Sequence, residues 1–178
     1  APNTETFQPN LAEFAQKITA NTKAVIVNSP NNPSGVVYSE ETIKALAALL
    51  TAKEQEVGHP IFLISDEPYR EIVYDGVVVP YVTKYYANTI VCYSFSKSLS
   101  LPGERIGFVL VPDEVTDSRN LYYAMCGAAR ILGYVCAPSM FQKALIKCLG
   151  QVGDINLYKT NRDILYKGLT ELGYECVS

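Results

Sequence analysis

Three short polar stretches hold the side chains of this sequence best suited to acid–base or covalent chemistry. "CYSFSKSLSLPGERIG", residues 92–107, sets Lys97 among Ser94, Ser96, Ser98 and Ser100, with Gly103 and Arg105 ahead of an apolar run. "SDEPY", residues 65–69, carries Asp66 and, three positions on, Tyr69, where one helical turn would return it to the same side. "NSPNNPSG", residues 28–35, supplies the amides of Asn31 and Asn32 with Pro33 and Gly35 to shape a turn. A lysine held near apolar walls and other cations loses proton affinity and becomes a nucleophilic amine able to form a Schiff base. A guanidinium and serine hydroxyls match phosphate oxygens.

Each stretch alone has an ordinary explanation. An aspartate at a strand end caps the following turn, Asn/Pro/Gly loops are common, and most loop lysines are solvated. Their placement argues otherwise. "NLAEFAQKIT" reads as a helix behind an Asn10 cap, and "KAVIVN" as a strand apolar enough to be covered on both faces. "SEETIKALAALLTAKEQE" reads as a helix capped by Ser39, with Leu46, Leu49 and Leu50 on its buried stripe. Then come the strand "IFLIS", a short helical turn "EPYREIV", and the strands "TIVCYSF" and "IGFVLVP". From Asp113 the pattern turns helical through "SRNLYYAMCGAARIL", "APSMFQKALIKCL" and "INLYKTNRDILYKGLTEL", and "GYECVS" reads as an opening strand. Alternating strands and helices predict an α/β fold with a mostly parallel sheet. Ligands of such sheets bind at the carboxyl ends of the strands, where all three polar stretches fall. A Schiff-base lysine beside a phosphate cradle fits pyridoxal phosphate, which needs both.

Composition narrows the alternatives. The 178 residues are 48% apolar, enough for one substantial core. With 19% charged residues and a net charge of −3, there is no basic face for nucleic acid or anionic lipid. No apolar run approaches a membrane span and no signal peptide opens the sequence. Five widely spaced cysteines without a CxxC pair, and one histidine, His59, argue for reduced thiols in a cytoplasmic protein and against a disulfide frame or a metal site.

"NNPSG", "DEPY" and "SFSKSLSLPGERIG", in this order and spacing, closely resemble the large domain of class I/II aminotransferases, fold type I pyridoxal-phosphate enzymes. The resemblance implies a three-layer α/β large domain. Lys97 would be the Schiff-base lysine and the proton carrier of the 1,3-shift. Asp66 would pair with the protonated pyridine nitrogen, and Tyr69 and Asn32 with the ring's phenolic oxygen. Ser94, Ser96 and Arg105 would bind the phosphate, and Asn32 would also reach the substrate carboxylate. The catalytic set is thus Lys97, Tyr69 and Asp66, and the Asn32–Pro33 peptide is expected to be cis.

By the same likeness, residues 1–150 are part of the large, cofactor-binding domain, and 151–178 an interdomain helix with the start of a small domain. The phosphate-loop glycine and the ring-stacking aromatic fall upstream, and the arginine for the substrate's α-carboxylate falls downstream; neither Arg130 nor Arg162 matches it. The sequence, which opens on "APNTETFQPN" without methionine, reads as a fragment with little activity of its own and uncovered apolar surface. Its parent is expected to be a homodimer using amino-acid and 2-oxo-acid substrates. A C–S β-lyase of the same fold and the aminotransferase-like domain of a transcription regulator share these motifs; the intact "NNPSG" favours an enzyme over the regulator.

Overall fold

Local signals define the elements that carry the site. The structure, a computed structural model, describes residues 5–177, so 1–4 and 178 lie outside the described residues. Helix α1 spans Leu11–Lys17, and the Asn10 side chain accepts a hydrogen bond from the Glu13 amide at 3.1 Å. Helix α2, Glu40–Val57, starts where Ser39 Oγ accepts from the Thr42 amide at 3.1 Å. It stops at Gly58, whose φ of 75° turns the chain out of the helix.

Between and after these helices run β1 (Ala24–Asn28), β2 (Phe62–Asp66), β3 (Thr89–Ser94) and β4 (Gly107–Leu110). They form a sheet in the order β1-β2-β3-β4, with the first three parallel and β4 antiparallel to β3. The chain is therefore α/β with a mostly parallel sheet, as the alternation predicts. Strand pairing places Asn28 level with Asp66, and Asp66 level with Cys92.

The core lies between the sheet and α2. Ile43, Leu46, Ala47 and Leu50 from α2 are buried against Val27, Leu63 and Ile61, closed by Ile18, Val82 and Tyr86. Leu49, placed on the buried stripe by its spacing, sits at the margin of this core. Helices α3 (Phe95–Ser98), α4 (Ser118–Ile131), α5 (Ser139–Cys148) and α6 (Ile155–Glu171) complete the described residues. None of α4, α5 and α6 buries a residue.

Several expectations need correction. The strand "KAVIVN" is covered on one face only: α2 packs over Val27, while Ile26, pointing the other way, is 69% exposed. "GYECVS" does not open a strand over residues 174–177, because no described strand lies beside them to pair with. "EPYREIV" is a pair of overlapping turns, with the Arg70 amide on the Glu67 carbonyl at 3.3 Å and the Ile72 amide on the Tyr69 carbonyl at 2.9 Å. Phe95, read as the end of β3, begins α3 instead. No helix among the described residues is long and apolar enough to cross a membrane.

Candidate functional site

Because β1, β2 and β3 run parallel, their carboxyl ends deliver Asn28, Asp66 and Ser94 to one edge of the sheet. Asp66 is the centre of this edge. Its Oδ2 accepts from Asn28 Nδ2 at 3.1 Å, and its main-chain carbonyl accepts from the same nitrogen at 3.0 Å. Burial pushes the Asp66 carboxyl above its ordinary range, the Asn28 donor pulls it back, and the adjacent Glu67 charge adds to the rise. The other carboxylate oxygen, Oδ1, accepts no hydrogen bond among the described residues.

The Asn-Pro turn joins this edge directly. Asn28 Oδ1 accepts from the Asn32 amide at 2.7 Å, and Asn32 Nδ2 donates to the Tyr69 hydroxyl oxygen at 3.0 Å. The Lys97 ammonium lies 5.7 Å from the centre of the Tyr69 ring. Asn31 shapes the turn: its Oδ1 accepts from the Ser34 amide and hydroxyl at 3.2 and 2.8 Å, and its carbonyl accepts from Gly35 at 2.8 Å. The Asn32–Pro33 peptide is cis, as the resemblance implies, and so is Ser29–Pro30. Four of the residues singled out from the sequence, Asn32, Asp66, Tyr69 and Lys97, thus stand on one connected path.

The serine and arginine end is looser. Ser94 caps α3, its Oγ accepting from the Ser96 amide at 3.2 Å with the two hydroxyl oxygens 2.8 Å apart. Ser94 pairs with Gly107 across the β3–β4 ladder. Strand β4 approaches closely there: a Cβ on Gly107 would fall 2.2 Å from the Tyr93 carbonyl oxygen, well inside contact distance. Arg105 is exposed, in a left-handed backbone conformation with φ of 51°, and donates from Nη1 to the Pro102 carbonyl at 3.0 Å. It makes no hydrogen bond to Ser94 or Ser96.

Three positioning residues lie within the quoted stretches but are given no role by the sequence reading. Asn28 is one; its only sequence signal is an amide closing an otherwise apolar strand. The others are Glu67 and Arg70. Glu67 is buried, and its carboxylate accepts from Ser65 Oγ at 2.7 Å and from Arg70 Nε at 2.6 Å. Arg70 also donates to the Val79 and Pro80 carbonyls at 2.9 and 2.8 Å and stacks 4.0 Å from the centre of the Tyr81 ring. The pair ties the loop after β2 to residues 79–81 and so holds Tyr69 over the strand ends. A Glu-x-x-Arg spacing directly after Asp66 was the available signal.

Comparison with known proteins gives a consistent result. The family model described as aminotransferase class I and II matches residues 2–178. The crystal structure of an amino transferase from Eubacterium rectale is 67% identical with a TM-score of 0.96, over 98% of this chain and 44% of that one. A probable aspartate/prephenate aminotransferase of Thermus aquaticus is 32% identical over 97% of this chain and 44% of its own length. A probable N-acetyl-LL-diaminopimelate aminotransferase of Bacillus subtilis is 35% identical over 90% and 39%. The chain therefore spans less than half the length of these relatives.

Proposed function

The chain belongs to the aminotransferase class I and II family, and on that premise we propose that it holds pyridoxal phosphate in an enzyme moving an amino group from an amino acid to a 2-oxo acid. The donor set fits that cofactor. Asp66 Oδ1, without a partner among the described residues, is placed to accept from a cationic pyridine N–H, and that charge-assisted bond would offset the burial that raises its carboxyl. Because Asn32 donates to the Tyr69 oxygen, the Tyr69 hydroxyl hydrogen is left to donate to an anionic ring oxygen. The second hydrogen on Asn32 Nδ2 is left for the same oxygen or for a substrate carboxylate. Ser94, Ser96 and the Arg105 nitrogens that Pro102 does not engage supply phosphate donors.

When bound, pyridoxal phosphate supplies an electron sink for the pair left by a broken Cα–H bond. Lys97 would hold the cofactor through its amine, and the same amine, when free, would be the base that carries a proton at the substrate's Cα. Asp66 would hold the proton at the ring nitrogen. The observation that carries this reading is the unbroken path from Asp66 through Asn28 and Asn32 to Tyr69 and Lys97.

We further place residues 1–150 in the cofactor-binding domain and 151–178, with α6, on the way to a second domain. The whole enzyme is expected to be a cytoplasmic homodimer. The decisive experiment uses the full-length protein. Oxo-acid-dependent turnover over a panel of amino donors, with visible absorbance that Lys97→Ala removes, supports the reading. Release of pyruvate and ammonia without an oxo acid would replace it with the β-lyase, and no Lys97-dependent absorbance would reject both.

A further inference from the structure

The Asn28 amide hydrogen-bonds both the Asp66 strand end and the Asn32 turn. Its two ends have opposite tasks. The NH₂ faces two acceptors, the Asp66 carboxylate and carbonyl, while its oxygen faces a donor, the Asn32 amide. Rotating the amide by half a turn would set oxygen against oxygen on one side and N–H against N–H on the other, so the orientation is chemically determined. We propose that Asn28 is a positioning residue that couples the Asp66 carboxylate to the Asn32–Tyr69 donor pair, so that both contacts to the cofactor ring share one support. Its value for the cofactor rests on the function proposed above; the coupling itself does not.

The coupling works through charge and placement together. Asn28 stabilises ionised Asp66 by donating to it, keeping the carboxylate able to hold a cationic N–H. By accepting from the Asn32 amide it also fixes the backbone from which the Asn32 side chain reaches Tyr69. The titratable groups around Asp66 are Glu67, next in the chain, Cys92, level with it on β3, and Tyr69 and Lys97 beyond the turn. Glu67 is engaged by Ser65 and Arg70, and burial pushes the Cys92 thiol up and keeps it neutral. Among the described residues, that leaves Asn28 as the hydrogen-bond donor on the Asp66 carboxylate.

The test follows the Asp66 carboxylate directly. In the ligand-free full chain carrying ¹³C-carboxyl aspartate, the Asp66 signal is assigned by its loss in Asp66→Asn and then titrated with pH. Asn28→Leu removes both contacts; Asn28→Asp keeps the shape and the acceptor but sets a second carboxylate against the first. The Asp66 midpoint should move up in both, further in Asn28→Asp. Pyridoxal phosphate, titrated by absorbance into each variant, should bind about tenfold more weakly, the worth of one hydrogen bond to a charged group. An unmoved midpoint, unchanged cofactor affinity, or loss of folded circular dichroism in both variants would overturn the proposal. Absence of any Lys97-dependent band in the unmodified protein would instead remove the proposed function, while the carboxylate titration still decides whether Asn28 couples the two elements.

Discussion

The sheet with α2 and the trio α4–α6 both carry large apolar side chains, which end in opposite situations. In the first, Leu46, Leu50 and Ile61 are fully buried. In the second, Ile131 is 88% exposed, Met140 69% and Ile146 68%. The helices of the second region are nonetheless well made. Asp154, for example, caps α6 by accepting from the Asn156 and Leu157 amides at 3.0 and 3.2 Å. Helix formation is settled within a few turns of the chain, whereas burial needs a second surface. In the sheet region that surface is α2. For α4–α6 the described residues supply none, and their apolar stripes are patterned for a partner they do not contact here.

The largest effect that sharpens this contrast lies on the rim of the buried region. Lys97→Ala in the full-length protein should lower turnover on the order of 10⁴-fold, while the urea midpoint stays where it was, because the side chain is exposed. A matching loss of stability would break the separation between site and core. Next, Leu46→Ala should cost about 2–5 kcal/mol by urea unfolding, since its side chain is enclosed on every side. Tyr86→Phe should cost about 1–2 kcal/mol in the same assay, through loss of the buried hydrogen bond to the Ile61 carbonyl at 2.7 Å. Burial pushes the Tyr86 hydroxyl far up, so this cost should not vary between pH 6 and 9.

Asp66→Asn should act more weakly and with a definite sign. The folded chain raises the Asp66 carboxyl above its unfolded value, so the folded state binds that proton more tightly. Its contribution to stability is present in acid, below the unfolded value, and is lost as pH rises through the folded one. The ligand-free Asn variant should therefore melt slightly higher than the parent at neutral pH, and the gap should close toward acid. A lower melting temperature at pH 7 would contradict this. The smallest effect belongs to the trio: Ile146→Ala should stay within about 0.5 kcal/mol. A cost like that of Leu46→Ala would erase the contrast between the two regions.

Much of this arrangement is legible in the sequence. Alternating strands and helices announced the sheet order's raw material, and Lys97, Asp66, Tyr69 and Asn32 were identifiable from motif and position at strand ends. What stayed hidden depends on tertiary partners. The exposure of Ile26 could not be read from "KAVIVN", because an apolar strand states what it could bury and not what arrives to cover it. Residues 174–177 have strand-like composition, but a strand exists only with a neighbour. The role of Asn28, though it opens the quoted 28–35 stretch, was hidden for a related reason: it comes from standing level with Asp66, 38 positions away, through a register no local pattern encodes.

Gly107 has a consequence for anyone mapping this protein by exhaustive substitution. It carries no reactive group and touches no candidate ligand, yet every other amino acid would have to push β4 off the Tyr93 carbonyl and away from Ser94. A saturation screen scored on activity would thus rank position 107 with Lys97, and reading the screen as a catalogue of chemical roles would invent a catalytic glycine. Scoring abundance in parallel would tell the two apart, since only the glycine variants should also deplete the folded pool.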